Sequence, residues 1–400
     1  MAKKKIKVFV AMSGGVDSSV AAFLLKRKGY DVVGVYMKGW SLTGCAAEDA
    51  ADARRVAGQM GIPFYVFDFE QDYKKSVVDY MVAEYAAGRT PNPDIMCNRE
   101  IKFGLFLKKA LALGADYIAT GHYTRLQREF PISKSQFPNK SQIQNSKKIE
   151  NLNIGNSLKI ENCKLKIAKD LNKDQSYFLW TLTQKQLKYC LFPIGEYKKP
   201  QVRAMAKKWK LPTAEKPDSQ GVCFIGEIDV AEFLKSQLGK NPGPILTLKG
   251  ERVGTHDGLS FYTIGQRKGI GTTGGGVPYY VAKKDFKNNT LIVAETSDGA
   301  LFEKALLAKE ASWISGKALR LPLKCLARIR YRQPLQKALF FEIRNPKHEI
   351  RNKFKNKKSK FQKLKVVFDE PQRAITPGQS IVFYSKIGEI LGGAVIDKTL

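Results

Sequence analysis

The stretch K-V-F-V-A-M-S-G-G-V-D-S-S-V at residues 7–20 decides the fold of this 400-residue chain. An apolar run at 6–11 predicts a buried strand, and a glycine-containing turn at 13–18 separates it from a helical pattern at 20–28. The same alternation of strand and helix patterns continues to residue 120. Because strands that alternate with helices pair in parallel, we expect an α/β domain built on a doubly wound parallel sheet.

The second half of the chain has a different pattern. Beyond about residue 230, short alternating apolar runs that predict strands, among them 260–264, are separated by glycines. This pattern predicts a small β-rich linking domain and then a C-terminal β-barrel. We therefore expect three domains, at 1–229, 230–288 and 289–400.

The formal net charge of +31 is high for a chain in which 26% of the residues are charged. Low-complexity segments at 128–163 and 344–365 are interpreted as basic insertions, and the stretches 126–166 and 344–365 contribute +5 and +9. The remaining +17 predicts a polyanionic partner, the alternative being a solvated basic surface. The insertions either neutralise phosphates or are tolerated surface expansions without a function.

The same composition indicates a cellular location. No run approaches 18 apolar residues and the N-terminal stretch is a poor signal peptide, so we expect a cytoplasmic protein without membrane contact. The six cysteines are widely spread and include no C-x-x-C. This spacing disfavours a disulfide scaffold, and no iron–sulfur cluster or zinc is expected.

The glycine loop, S-G-G-V-D-S at residues 13–18, lies between the first strand and the first helix. Glycines at 14 and 15 permit close backbone approach, so that amide groups and the helix N-terminus bind a phosphate; a purely structural turn is the alternative. The G-x-x-x-x-G-K-[ST] pattern is absent. The hexapeptide resembles the PP-loop of ATP pyrophosphatases. That resemblance implies phosphate binding, with Asp17 as a candidate ligand of Mg²⁺.

Two cysteines follow short motifs that stand far apart in the chain. R-T-P-N-P-D-I-M-C-N at 89–98 contains two prolines, which predict a stiff loop that presents Asp94 and Cys97. Basic side chains at 89, 99 and 102 would favour the thiolate of Cys97. P-D-S-Q-G-V-C-F-I-G at 217–226 places Cys223 on a predicted loop. Each cysteine alone is more typical of an inert thiol, but two loop cysteines in one α/β domain could form an exchange pair.

The chain as a whole resembles the tRNA-specific 2-thiouridylase family. Beyond the motifs already quoted, the matching stretches are T-G-H-Y at 120–123, N-K-D-Q-S-Y-F-L at 172–179, Y-T-I-G-Q-R-K-G at 262–269, R-Y-R-Q at 330–333 and T-P-G-Q at 376–379. The resemblance covers the whole chain except the two basic insertions. It implies ATP-dependent replacement of the 2-oxygen of the wobble uridine by sulfur.

The resemblance also implies a set of site residues. ATP, with Mg²⁺, would be held by Ala11, Met12, Ser13, Gly14, Gly15, Val16, Asp17, Ser18, Met37 and Gly121. Asn92, Pro93 and Asp94 would contact the target base, with Asp94 as general acid or base, Cys97 as nucleophile and Cys223 as persulfide carrier. The tRNA would be contacted by His122, Lys173, Asp174, Gln175, Arg330, Tyr331 and Gln379. The implied partners are tRNA and a persulfide donor protein, either a cysteine desulfurase or a relay.

Structural alternatives remain open for the tRNA-contacting residues. His122 follows a strand end and could be a hydrogen-bonded structural histidine, and Asp174 lies where a helix cap is common. Arg330 on a barrel face could be merely solvated. Two other functions are also compatible with a PP-loop: a carbon–nitrogen ligase that acts on a small metabolite, and an RNA-binding protein without catalysis. The two loop cysteines and the basic charge favour sulfur transfer over both.

Overall fold

The computed structural model describes residues 5–41, 45–129, 162–218, 229–272, 278–343 and 363–400. The strands of the N-terminal domain are β1 (Lys7–Ala11), β2 (Asp31–Lys38), β3 (Phe64–Asp68), β4 (Tyr117–Ala119), β5 (Arg125–Glu129), β6 (Asn162–Lys166) and β7 (Cys190–Leu191). Five of them form the first sheet, which is parallel and has the order β3-β2-β1-β4-β7. No helix in these described ranges is long and apolar enough to cross a membrane.

Both faces of this sheet are covered. Along β1, Val8 and Val10 belong to one apolar cluster, whereas Phe9 and Ala11 belong to the cluster on the opposite face. Strand side chains alternate between faces, so a strand that is apolar throughout must be buried on both sides. The predicted doubly wound parallel sheet is thus confirmed.

The helices of this domain pack against the two faces of the sheet. They are α1 (Val16–Arg27), α2 (Cys45–Met60), α3 (Glu70–Tyr73), α4 (Asp79–Ala86), α5 (Pro93–Met96), α6 (Leu107–Ala112), α7 (Gln184–Leu187) and α8 (Lys199–Lys208). Two wide helices with i→i+5 hydrogen bonds join neighbouring α-helices, Lys74–Val78 between α3 and α4 and Cys97–Phe106 between α5 and α6. A 3-10 turn covers Ser176–Leu179.

The boundaries of both basic insertions differ from the sequence prediction. Strands β5 and β6 pair antiparallel, with Arg128 opposite Cys163, so the ends of the predicted segment 128–163 belong to a regular hairpin. Likewise, residues 363–365 of the predicted segment 344–365 begin a barrel strand. Cys163 and Leu364 are buried at these positions, which the basic composition concealed. The interiors, 130–161 and 344–362, lie outside the described residues.

The central domain is a four-stranded sheet packed against one helix. Its elements are α9 (Val230–Leu238), β8 (Gly243–Thr247), β9 (Arg252–His256), a 3-10 turn (Leu259–Phe261), β10 (Tyr279–Asp285) and β11 (Thr290–Glu295). The strand order is β10-β11-β8-β9. Strand β11 pairs within this sheet, whereas the sequence boundary at 288/289 assigned it to the barrel. The strand expected at 260–264 is wrong, since this stretch contains the end of the 3-10 turn.

Six antiparallel strands close the C-terminal barrel that the sequence predicted. They are β12 (Phe302–Trp313), β13 (Leu323–Arg328), β14 (Gln336–Ile343), β15 (Lys363–Arg373), β16 (Ser380–Tyr384) and β17 (Ile390–Thr399), and a 3-10 turn (Gly299–Leu301) precedes them. The barrel order is β12-β15-β14-β13-β16-β17. Its interior is apolar, with Phe340, Phe368 and Phe383 nearly inaccessible to solvent.

The barrel is bonded directly to the N-terminal domain. The hydroxyl of Tyr177, which is fully buried, donates to the carbonyl oxygens of Ile329 at 3.2 Å and Ser380 at 2.8 Å. Arg328 and Asp174 form a buried ion pair across the same boundary at 3.3 Å. Because buried polar groups destabilise a fold unless they are hydrogen-bonded, these contacts fix the barrel against the α/β domain.

Candidate active site

The glycine loop connects the carboxyl end of β1 to the N-terminus of α1. The Ser18 hydroxyl accepts from the Ser13 amide at 3.1 Å and donates to the Gly15 carbonyl at the same distance. Both hydrogen bonds lie within the glycine loop and stabilise its turn. The first amides of α1 remain at the helix N-terminus, where the helix dipole favours an anion.

Close backbone contacts leave no room for larger side chains around this loop. Gly14 has a φ of +74°, and a Cβ there would overlap the backbone of Asp49 in α2. A Cβ at Gly121 would lie 2.7 Å from the amide nitrogen of Ser18. The loop after β4 therefore packs directly on the glycine loop, as expected at the carboxyl edge of a parallel sheet.

Asp17 is engaged by protein groups. The Lys199 ammonium lies 2.8 Å from each of its carboxylate oxygens, and the Tyr123 hydroxyl donates to Oδ1 at 2.8 Å. The Lys199 ammonium thus occupies the position beside Asp17 that a cation would take, and Mg²⁺ binding at Asp17 stays a prediction. In the described part of the chain no three His, Cys, Asp or Glu side chains come together as a metal site.

Other predicted nucleotide contacts lie at the ends of neighbouring strands. Met12 and Met37 are buried at the ends of β1 and β2. His122, expected to contact tRNA, is 7% exposed, bonds Thr120 through Nδ1 at 2.7 Å and lies 5.8 Å from the ring of Phe103. Burial, aided by the charge of Lys102, lowers the pKa of His122 well below its ordinary value. The imidazole is therefore neutral and almost fully buried here, and its contact with tRNA stays a prediction.

Cys97 lies on a helix, so the predicted stiff loop is wrong. Asn92 caps α5 by accepting from the Ile95 amide at 3.3 Å, and Pro93 occupies the first helical position. The helix then continues through Cys97, whose exposed fraction is 0%. Proline at a first helical position needs no amide partner, which is why this N-P pair starts a helix. Cys97 packs in the same apolar cluster as Ala11 and Met37.

Two of the basic side chains expected to favour the Cys97 thiolate, Arg89 and Arg99, form ion pairs with glutamates. Arg89 forms a two-bond ion pair with Glu84, with Nε at 2.6 Å from Oε2. Arg99 pairs with Glu100 at 2.7 Å. Both guanidinium groups are thus compensated by carboxylates. The other predicted catalytic cysteine, Cys223, lies outside the described residues, and its distance from Cys97 stays a prediction.

The segment that leads to Cys97 is held by the other two domains. Gln379 of the barrel donates from Nε2 to the carbonyls of Thr90 at 2.9 Å and Pro91 at 3.0 Å. The Thr90 amide donates to the Pro377 carbonyl at 2.9 Å, and its hydroxyl lies 3.2 Å from that of Thr263 in the central domain. Gln379, predicted to touch tRNA, therefore has a positioning contact that sequence reasoning missed.

Arg330 has a similar role. Its Nη2 donates to the carbonyls of Ile264 at 2.6 Å and Ala374 at 3.1 Å and to the Thr376 hydroxyl at 2.8 Å. Burial lowers the pKa of this guanidinium, and its three hydrogen-bond acceptors hold the side chain in place. The side chain predicted to bind tRNA thus joins the barrel to the loop after the central 3-10 turn.

The remaining predicted tRNA residues fall into two groups. Asp174 is 2% exposed and accepts from Ala168 and Ser176, so it is a structural carboxylate. Lys173, Gln175 and Tyr331 are partly exposed. Gln175 accepts from the Tyr123 amide at 2.9 Å, and Tyr331 packs on Phe178 with ring centroids 4.7 Å apart.

Sequence reasoning missed Lys199, Arg203 and Asp218 beside the glycine loop. Lys199 joins Asp17 to Asp218, and Arg203 bonds Asp218 at 2.8 Å. No motif marks the two basic residues. Their four-residue spacing was the available signal, since residues i and i+4 share a helix face, as they do on α8.

The three-domain order and the glycine loop define the class of protein: a nucleotide-binding α/β protein with a C-terminal β-barrel. Family models match in the same order, described as tRNA methyl transferase HUP domain at 6–227, tRNA methyl transferase PRC-barrel domain at 231–295 and aminomethyltransferase beta-barrel domain at 303–396. The chain is 43% identical to the tRNA-specific 2-thiouridylase MnmA of Geobacillus thermodenitrificans, over 99% of this chain and 96% of that protein. It belongs to the tRNA-specific 2-thiouridylase family.

A second relative gives the same result. The tRNA-specific 2-thiouridylase MnmA of Alkaliphilus oremlandii is 43% identical over 100% of this chain and 99% of its own length. Among solved structures, a 4-thiouridine synthetase–RNA complex with bound ATP has a TM-score of 0.30 and 15% identity, covering 58% of this chain and 50% of that one. That structural similarity is too slight to carry an argument.

Proposed function

We propose that this chain is a tRNA sulfurtransferase that uses ATP to replace the 2-oxygen of the wobble uridine with sulfur. One observation carries the proposal: the helix that contains Cys97 packs on the loop after β4, with the rings of Phe103 and His122 5.8 Å apart, and Gly121 of that loop packs directly on the glycine loop. This arrangement supports a reactive thiol and a nucleotide acting at one edge of the sheet. Family membership supports tRNA as the substrate.

The proposed chemistry begins with activation of the base. A uridine carbonyl oxygen is a poor leaving group, so the 2-oxygen attacks the α-phosphorus of ATP and pyrophosphate leaves. The amides of the glycine loop and of the first turn of α1 hold the phosphates. Asp94, at the second position of α5, is proposed to move a proton at the base, beside Asn92 and Pro93.

Sulfur then enters from a persulfide on Cys223. Its terminal sulfur attacks carbon 2 and AMP leaves, which forms a disulfide bond between Cys223 and the base sulfur. The Cys97 thiolate attacks Sγ of Cys223, which frees the thiocarbonyl and leaves a Cys97–Cys223 disulfide. A thiol reductant must restore both cysteines, and a persulfide donor protein must reload Cys223. Because Cys97 is completely buried, its attack requires this segment to move when tRNA binds.

Mass analysis of digested tRNA tests the proposal. The protein is incubated with unmodified tRNA, ATP, Mg²⁺ and a persulfide donor, and 2-thiouridine is expected. Cys97→Ala should abolish the product. Cys325→Ala is the control, since Cys325 is buried in the barrel and burial raises its thiol pKa to about 12. Absence of 2-thiouridine with the wild-type protein, or full activity of Cys97→Ala, would contradict the proposal.

The two other function classes predict different results from the same assay. A ligase that acts on a small metabolite consumes ATP without tRNA and is indifferent to Cys97→Ala. A non-catalytic RNA-binding protein retains tRNA binding in both cysteine variants and never releases AMP. AMP release that requires tRNA, together with a new thionucleoside, is expected only for sulfur transfer.

A further inference from the structure

Three cations surround the carboxylate of Asp218 beside the glycine loop. Lys173 Nζ lies 2.7 Å from Oδ2, Lys199 Nζ lies 2.7 Å from Oδ1, and Arg203 Nη2 lies 2.8 Å from Oδ1. One carboxylate thus forms ion pairs with three positive groups. We call Lys173, Lys199 and Arg203 the cation cluster.

The backbone fixes the cluster in place. Lys199 and Arg203 lie one turn apart on α8, so both side chains leave the same helix face. Asp170 accepts from the backbone amides of Lys173 at 3.2 Å and Lys199 at 2.8 Å, which ties the loop before the 3-10 turn to the start of α8. Three side chains from two segments are therefore directed at one point before any ligand arrives.

The cluster is continuous with the glycine loop. Lys199 Nζ bonds both oxygens of Asp17, which occupies the first turn of α1, while bonding Asp218 on its other side. The side chains of Lys173, Arg203 and Asp218 are 27–29% exposed, so an anion in solution can reach them. A phosphate bound at the N-terminus of α1 would place any phosphates attached to it near these cations.

The charges of the cluster favour a polyanion over a single carboxylate. Within the described residues, the ion pairs of these three cations are made with two carboxylates, those of Asp17 and Asp218. Although burial opposes it, the hydrogen bonds and charges of Lys173 and Lys199 lower the pKa of Asp218 to about 2, so this carboxylate stays ionised at neutral pH. A multiply charged phosphate chain offers more negative oxygens to the same cations than Asp218 does, and charge-assisted bonds to them are strong.

We propose that the cation cluster is a subsite for the β- and γ-phosphates of the nucleotide, and that Asp218 occupies it until the nucleotide displaces this carboxylate. The inference rests on the proposed function, because it takes ATP as the ligand. A phosphate of the tRNA backbone has the same chemistry. The contact between Lys199 and Asp17 favours the nucleotide, since it joins the cluster to the glycine loop.

Calorimetric titration with inorganic pyrophosphate and with AMP tests the subsite in the absence of tRNA. Asp218→Asn keeps the shape and removes the competing charge, so pyrophosphate should bind about tenfold more tightly, as expected for about 1.4 kcal/mol of displaced ion pairs. AMP affinity should not change. Lys173→Met should weaken pyrophosphate binding by about tenfold and serves as the second variant. Asp257→Asn is the control, because Asp257 pairs with Lys235 and Lys240 in the central domain.

Unchanged or weaker pyrophosphate binding by folded Asp218→Asn would overturn the subsite. Equal tightening for AMP would also overturn it, since AMP lacks the phosphates in question. Tighter tRNA binding with unchanged pyrophosphate binding would reassign the cluster to RNA. The same preparations are assayed for 2-thiouridine. A preparation that thiolates tRNA but fails the pyrophosphate test contradicts the subsite alone, and one that passes that test without thiolating contradicts the proposed function alone.

Discussion

Gly14 shows how one residue can determine whether the glycine loop forms. Its φ of +74° is costly for other residues, and a Cβ would overlap Asp49. We expect Gly14→Ala to lower the free energy of unfolding by about 2–4 kcal/mol and to abolish nucleotide binding. Gly29→Ala is the control, since Gly29 has a φ of +85° but nothing within 4 Å of a Cβ. It should cost only about 1 kcal/mol in urea unfolding. Equal losses for both variants would show that the overlap is unimportant.

His122 predicts a pH dependence of stability. Burial lowers its pKa below the ordinary 6.5, so below that pH the unfolded chain binds a proton that the folded protein does not. The contribution of the neutral imidazole to the free energy of unfolding is therefore complete above about pH 6.5. It is lost as the pH falls, by up to about 1.4 kcal/mol per pH unit. Between pH 7.5 and 5.5, His122→Gln should lose about 1 kcal/mol less than the wild type in urea unfolding. Identical pH slopes would contradict a buried neutral imidazole.

Whether a site residue could be predicted from the sequence depends on how far along the chain its contacts lie. The glycine loop was predictable because its shape depends on neighbours such as Ser13 and Ser18, five positions apart. The ion pair of Asp17 with Lys199 was not, because 182 positions separate them and no motif marks the lysine. From the sequence alone, the Asp17 carboxylate could be interpreted only as a candidate metal ligand, and its bond to a lysine could not be foreseen.

At the scale of elements, the wide helix Cys97–Phe106 depends on a glycine. A Cβ at Gly104 would lie 2.8 Å from the Arg99 carbonyl oxygen, five residues earlier, so the i→i+5 geometry tolerates alanine poorly. Gly104→Ala should lower stability by about 1–3 kcal/mol and reduce 2-thiouridine formation, although alanine normally stabilises a helix. Gly58→Ala in α2 is the matched control, with nothing within 4 Å, and should stabilise by about 0.5–1 kcal/mol. Stabilisation by Gly104→Ala, measured by thermal unfolding, would contradict this account.

The elements that sequence reasoning assigned wrongly lie where domains meet. Prolines at 91 and 93 predict a loop by local rules, yet Pro93 after the cap Asn92 starts a helix. The expected strand at 260–264 is replaced by a turn that ends at Phe261, and Thr263, two residues beyond it, contacts Thr90. The parallel sheet was predictable because each strand is apolar and bounded by local signals. Contacts between domains have no such periodic signature.

For the whole molecule, the barrel controls the position of the Cys97 segment. Gln379 and Pro377 bond the backbone at Thr90 and Pro91, and a Cβ at Gly378 would lie 2.8 Å from the Thr90 carbonyl oxygen. Three consecutive barrel residues thus lie against the chain six and seven residues before Cys97. The barrel can in this way position a thiol that it does not itself carry.

The variant Gln379→Ala tests whether Gln379 positions the Cys97 segment or contacts tRNA. Loss of two hydrogen bonds to backbone carbonyls should lower kcat for tRNA thiolation by about tenfold to hundredfold, or about 1.4–2.8 kcal/mol, with KM for tRNA unchanged. Gln379→Glu should be no better, because a carboxylate cannot donate to the Thr90 and Pro91 carbonyls. Gln237→Ala, on the exposed face of α9, is the control. A raised KM with unchanged kcat in steady-state assays would instead make Gln379 an RNA contact, because an interaction with bound substrate is lost equally from the ground and transition states.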